Sequence, residues 1–138
     1  MNQPSIQITL KKGKENSLQR FHPWVFSGAI QRISGDVNEG DVVEVYSSQH
    51  EFLGAGHYQI GSIAVRLVSF EQKNLDREFW KTKLAAALRF RKQIGLVNNP
   101  ATNCYRLLFA EGDGMPGFII DYYNGTAVFQ FHSIRMYL

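Results

Sequence analysis

The chain has 138 residues, 44% of them hydrophobic and 13% aromatic, which excludes a disordered protein and allows one domain or two small ones. Its net charge is only +3, though the isoelectric point is near 9.1, and its single cysteine, Cys104, excludes a disulfide framework or a cysteine-based metal cluster within one chain. No run approaches the roughly 18 apolar residues that span a bilayer and no apolar signal segment opens the chain, so a soluble, cytoplasmic protein without a membrane partner is expected.

Ile6-Gln7-Ile8-Thr9-Leu10 alternates apolar with polar and predicts the first strand. A polar connection from Lys11 to Ser17 follows, and between Met1 and Arg20 the basic residues Lys11, Lys12, Lys14 and Arg20 face one acid, Glu15. Arg20-Phe21-His22-Pro23-Trp24-Val25-Phe26-Ser27-Gly28-Ala29-Ile30 is the densest stretch. Pro23 fixes its own φ and extends His22, so the segment reads as a short helical turn or structured loop. Its aromatics are expected to pack inward, leaving Arg20, His22 and Ser27 near the surface. Ala29 to Ile33, Val42 to Tyr46, Phe52 to Tyr58 and Ile63 to Phe70 complete a set of short strands whose spacing suggests a small barrel. Gly54, Ala55 and Gly56 suit a strand bent at a corner or crowded by another backbone. Residues 34–54 carry Asp36, Glu39, Asp41, Glu44 and Glu51 and no Lys or Arg, so the surface should be polarised.

Composition changes at Glu71-Gln72-Lys73-Asn74, which places a boundary between domains at 1–72 and 73–138. Asp76 can cap a helix over Arg77 to Ile94, with Gly95 as its stop. At 100° per residue, Phe79, Trp80, Ala87, Phe90 and Ile94 share an apolar arc, and Arg77, Lys81, Arg89 and Lys92 lie opposite. Tyr105 to Ala110, Phe118 to Asp121 and Ala127 to Phe131 read as three strands. The tail, 133–138, keeps an ordered-looking pattern and stops, which reads as a truncation point.

Lys, Arg and backbone amides hold phosphates, and aromatic or guanidinium faces hold unstacked bases. Lys11, Lys12, Lys14, Arg20 and His22, joined by Arg66 on a strand, therefore form the candidate RNA-binding set, with Arg77, Lys81, Arg89 and Lys92 either a secondary RNA surface or a solvated flank. Trp24 could offer that set a stacking face, but it and Phe26 are weighed as ordinary core, since large aromatics are usually highly buried. The four histidines lack metal-like spacing, so no metal site is expected. Glu111-Gly112-Asp113-Gly114 reads as turn chemistry rather than a carboxylate pair or cation loop. Cys104 reads as an inert, partly buried thiol, and no catalytic residue is assigned.

Leu10-Lys11-Lys12-Gly13-Lys14 with His22-Pro23-Trp24-Val25-Phe26-Ser27-Gly28-Ala29-Ile30, Phe52-Leu53-Gly54-Ala55-Gly56-His57-Tyr58 with Val65-Arg66, and Glu111-Gly112-Asp113-Gly114-Met115-Pro116-Gly117 with Asp121 carry a resemblance. In that order they resemble the N-terminal part of the bacterial large-subunit ribosomal RNA cytosine-5 methyltransferases. The chain departs from that pattern at Phe21, where a second basic residue is common, at Gln59-Ile60-Gly61 and at Tyr122. The resemblance implies an α+β fold: a mostly antiparallel PUA-like β-barrel, then a helix-plus-β-hairpin subdomain leading to a catalytic Rossmann-type domain absent from this sequence. It implies structured ribosomal RNA as partner and S-adenosylmethionine as the parent's cofactor, with none held by this chain. Two other readings stand beside it: a protein-interaction or homodimerisation module without RNA, and a small enzyme using Glu111 and Asp113.

Overall fold

Alternating apolar residues build the first sheet of the computed structural model, which describes residues 5–133. Its strands are β1 (Ile6–Leu10), β2 (Trp24–Phe26), β3 (Ile30–Ile33), β4 (Val42–Tyr46), β5 (Phe52–Tyr58) and β6 (Ile63–Ser69), in the order β2-β6-β5-β4-β1-β3. All neighbours are antiparallel except β1 and β4, which run parallel. Period-two alternation turns Ile8 and Leu10, Val43 and Val45, and Val65 and Leu67 to one buried core, where Leu18 and Val25 join them. Burying each such side chain stabilises by about 1.5–3 kcal/mol.

The edge strands β2 and β3 are consecutive in sequence, joined only by a 3-10 turn over Ser27–Ala29. Three residues of 3-10 geometry rise about 6 Å, so the sheet must curl until its edges are near one another. Beside that turn, Lys11 N–H donates to Ala29 O and Ser27 N–H to Ser62 O, both at 2.9 Å. On β5, a Cβ built on Gly56 would lie 2.1 Å from the Arg66 carbonyl oxygen, so the crowding expected of the glycines is backbone against backbone.

The sequence reading missed β2 and placed the wrong side chains inside. Trp24-Val25-Phe26 is extended and pairs with β6, so its side chains alternate. Val25 is buried, Trp24 half-buried and Phe26 51% exposed. The helical turn lies earlier, as α1 (Asn16–Gln19), whose Leu18 alone is buried. Phe21 N–H donates to Leu18 O and His22 N–H to Ser17 O, the paired bonds of a Schellman C-cap with Phe21 in the left-handed position at φ +63°. That conformation costs a bulky L side chain roughly 1–2 kcal/mol.

The described residues fall into two compact units, one ending at Lys73 and one beginning at Asn74. The second holds α2 (Arg77–Gln93) and the antiparallel sheet β7 (Cys104–Phe109), β8 (Phe118–Tyr123) and β9 (Thr126–Phe131), in that order, so the three strands read from the sequence join in one sheet, a strand more than the hairpin the resemblance implied. Asp76 Oδ1 accepts the Phe79 N–H at 2.9 Å, capping α2. At its other end Gly95, φ +78°, completes a Schellman cap with Gly95 N–H to Lys92 O and Leu96 N–H to Arg91 O. Asn124-Gly125, both at positive φ, close the β8–β9 hairpin. Ala87, Leu108, Met115 and Ile120 form the core, with Trp80, Leu107 and Phe118 packed on it.

The predicted apolar arc of α2 is corrected in part. Phe90 and Ile94 are 49% and 53% exposed, while Arg91 is buried beside Ala87. Arg91 donates bidentately to Asp113 at 2.5 and 2.7 Å, and its Nε donates to Arg106 O at 2.9 Å. Helical periodicity finds apolar residues, but here an ion pair made with a residue 22 positions away selects the packed face. The tail reading beyond Ser133 lies outside the described residues.

Candidate nucleic-acid interface

The N-terminal unit forms a cleft of about 330 Å³ lined by Lys14, Ser17, Leu18, Trp24, Val25, Phe26, Gly28 and Ala29. Its walls follow from local structure. Gly13, at φ +81°, turns the chain after β1, and Lys14 N–H donates to Lys11 O at 3.0 Å, bringing Lys14 to the rim. Leu18 anchors α1 in the core. The Lys11 ammonium donates to Gly28 O at 2.9 Å and holds the 3-10 turn that ends the cleft.

Trp24 joins this cleft to the other predicted groups. Its ring meets His22 edge-on at 5.6 Å and Phe26 edge-on at 6.5 Å, and the Trp24 backbone N–H donates to His22 Nδ1 at 3.2 Å. That bond leaves Nε2 as the ring nitrogen available to an outside partner. Arg66 is the cross-strand partner of Trp24 on β6, and its guanidinium donates to Gln59 Oε1. Lys11, Lys14, His22 and Arg66 are thereby gathered around Trp24 and Gly28. Of the predicted residues only Lys14 lines the cleft itself; Lys12 lies exposed in the β1–α1 turn and Arg20 at the end of α1, apart from this group.

None of these five lysines and arginines makes an ion pair among the described residues, so their charge remains available to an anion. The aromatic part differs from the expectation: Phe26 is exposed, and Trp24 is half-buried with its ring outside the core cluster that holds Val25. The period-two run His22, Trp24, Phe26 was the signal for it, and Pro23 and Gly28 obscured that signal by suggesting a loop.

In the second unit Arg77, Lys81, Arg89 and Lys92 are all exposed on α2, and helical geometry confines them to one side. Lys81 approaches Glu78 only at 3.7 Å. The arginines that the sequence reading left out are engaged internally. Besides Arg91 with Asp113, Arg106 Nε donates to Asp121 Oδ1 at 2.8 Å. Burial alone would raise the Asp113 carboxyl. The Arg91 hydrogen bonds and charge and the Phe109 N–H, which donates at 2.6 Å, outweigh it and hold the group below the ordinary carboxylate range. Arg106 lowers Asp121 likewise, chiefly by its hydrogen bonds. Cys104 is exposed rather than partly buried, with its thiol 3.2 Å from Asn103 Oδ1.

No cluster of three or more His, Cys, Asp or Glu able to hold a metal occurs among the described residues. The glycine-spaced run is not a helix-opening methyl-donor loop: Gly112 lies within a 3-10 turn over Ala110–Asp113, Gly114 ends it, the chain leads on into β8 and not a helix, and Asp113 is held by Arg91. Among the described residues no helix is long and apolar enough to cross a membrane.

Residues 8–70 match the family model described as a PUA-like domain, the span that contains the cleft. The chain is 40% identical over 131 residues to the ribosomal RNA large subunit methyltransferase I of Pseudoalteromonas atlantica, covering 94% of this chain and 33% of that protein. The protein of the same name from Vibrio cholerae is 39% identical over 127 residues, covering 91% and 32%. Two solved structures share the fold: a putative SAM-dependent methyltransferase from Streptococcus mutans, TM-score 0.79 at 23% identity over 96% of this chain and 34% of its own, and a putative methyltransferase complexed with SAH, TM-score 0.81 at 22% identity over the same shares. The chain spans about a third of the length of these relatives.

Proposed function

We propose that this chain is the RNA-binding N-terminal region of a SAM-dependent ribosomal RNA (cytosine-5) methyltransferase. It would position structured ribosomal RNA, in the cytoplasm, for a catalytic domain that supplies S-adenosylmethionine chemistry from outside this sequence. The observation that carries the proposal is the cleft between α1 and β2, where Lys14, without an ion-pair partner among the described residues, stands beside exposed Phe26 and half-buried Trp24. Lysine and arginine would hold phosphates without reading sequence, and the Trp24–Phe26 surface would take a base or ribose face. The relatives' names, and the PUA-like match over this unit, support RNA as the ligand.

A salt titration of binding to a large-subunit ribosomal RNA fragment tests the reading. Each phosphate contact should add about 0.7–0.9 to the steepness of log K against log salt. Lys12→Glu with Lys14→Glu should flatten that slope and weaken binding, while sparing Lys11, whose ammonium supports Gly28. Affinity indifferent to both salt and substitution would sink the reading. One observation favours the second reading, a dimerisation or interaction module: all six residues of β9, including Phe129 and Phe131, are exposed. Concentration-dependent association in light scattering, without RNA binding, would select it.

A further inference from the structure

Two helices of this chain end in the same Schellman hydrogen-bond pattern, but different residues occupy the left-handed position. α2 uses Gly95 at φ +78°, the residue that adopts this conformation without a Cβ clash. α1 uses Phe21 at φ +63°, a bulky side chain in a conformation glycine or asparagine would hold with less strain. Core packing does not explain the choice, because Phe21 is 73% exposed. Its ring has one aromatic neighbour among the described residues, an edge-on contact with half-buried Phe70 at 5.3 Å. The strained backbone thus presents an aromatic ring to solvent, between the exposed cationic or titratable residues Arg20 and His22. Strain retained at a largely exposed ring with a single edge-on aromatic contact motivates the hypothesis of a position shaped by a ligand.

We infer that Phe21 is a stacking platform for one unpaired nucleobase of the bound RNA, with Arg20 and His22 holding the adjoining phosphates. The inference rests on the RNA-binding reading and deepens it: the ligand includes an unstacked nucleotide at the end of α1, not paired helix alone. A base stacked in a duplex has no free face for a phenyl ring, whereas a loop or bulge base does. Arg20-Phe21-His22 supplies the paired needs of such a nucleotide, a π-face for the base and positive charge for its backbone.

Fluorescence anisotropy with a labelled RNA hairpin carrying an unpaired loop, and with a blunt duplex of the same stem, tests this on the chain bearing Phe21→Asn or Phe21→Trp. Phe21→Asn should weaken hairpin binding by about 5- to 150-fold, the range expected for one lost base stack, and leave duplex binding nearly unchanged. Its melting temperature should equal or exceed that of the wild type, because asparagine tolerates the left-handed conformation. Phe21→Trp should retain hairpin affinity. Phe21→Asn binding the hairpin as tightly as wild type overturns the inference. So does a lowered melting temperature with equal losses on both RNAs, which would make Phe21 a packing partner of Phe70. Wild type binding neither RNA overturns the RNA-binding reading itself, and this inference with it; wild type binding with Phe21→Asn unaffected overturns this inference alone.

Discussion

In the N-terminal unit nine buried apolar side chains cluster and the cations stand outside them, whereas the C-terminal unit clusters only four and adds a buried guanidinium–carboxylate pair. The difference shows that basic residues near in composition serve opposite ends. Lys12, Lys14 and Arg20 meet no carboxylate among the described residues and stay available to a polyanion. Arg91 and Arg106 are engaged by Asp113 and Asp121 and hold the unit together. Counting charges along the sequence does not separate these roles, because a partner's position in space decides them.

The contrast can be broken most severely at Gly56. Gly56→Ala would drive a Cβ into the Arg66 carbonyl, and the two backbones cannot yield without losing the β5–β6 ladder. We expect a loss above about 4 kcal/mol, seen as unfolding of the N-terminal unit at low urea while α2 persists in circular dichroism. Unchanged urea stability would show that β5 and β6 can separate freely.

Arg91→Met comes next. It leaves Asp113 largely buried without its counter-charge, at a cost of about 3–5 kcal/mol, and adding Asp113→Asn should restore part of it. Urea unfolding followed through Trp80, in a chain whose Trp24 is replaced by Phe, reports this unit alone, since these are the two tryptophans. A double variant no better than the single would deny the coupling.

The same pair makes the C-terminal unit acid-sensitive in a predictable direction. Asp113 has a folded pKa lowered below its unfolded value, so the unfolded chain takes up the proton first as pH falls. Its stabilisation is full above about pH 4 and is lost as pH drops through the lower, folded value. Trp80 fluorescence should therefore report unfolding at a higher pH in Asp113→Asn than in wild type if wild type still keeps the ion pair there. Identical acid midpoints would contradict the assignment. The smallest effect is expected at Glu78→Gln, which removes only an exposed contact to Lys81 at 3.7 Å; thermal unfolding should shift by less than about 0.5 kcal/mol equivalent.

Much of the fold was legible because it is written locally. Ile6–Leu10, Val42–Tyr46 and Phe52–Tyr58 were read at their observed bounds from alternation and turn residues, and α2 from its Asp76 cap and Gly95 stop. Parallel pairing of β1 with β4, and the strand at Trp24–Phe26, were not, since each depends on which distant strand lies alongside. The candidate site was legible in its cations and not in its rings: hydrophobicity sends Trp24 and Phe26 inward, and only the pairing of β2 with β6 shows that Val25 takes the inner place. Phe21 was invisible as a strained position, because nothing in a composition or a periodicity reports a φ angle.

The short turn at Ser27–Ala29 gives the first sheet a seam closed by covalent bonds, where an ordinary barrel is laced by hydrogen bonds from strand to strand. A single nick there would sever the tie between the two rims while leaving every ladder intact, and two of its residues, Gly28 and Ala29, line the far end of the cleft. Closure of the sheet and the shape presented to a ligand are consequently one property of this chain, and neither can drift without the other.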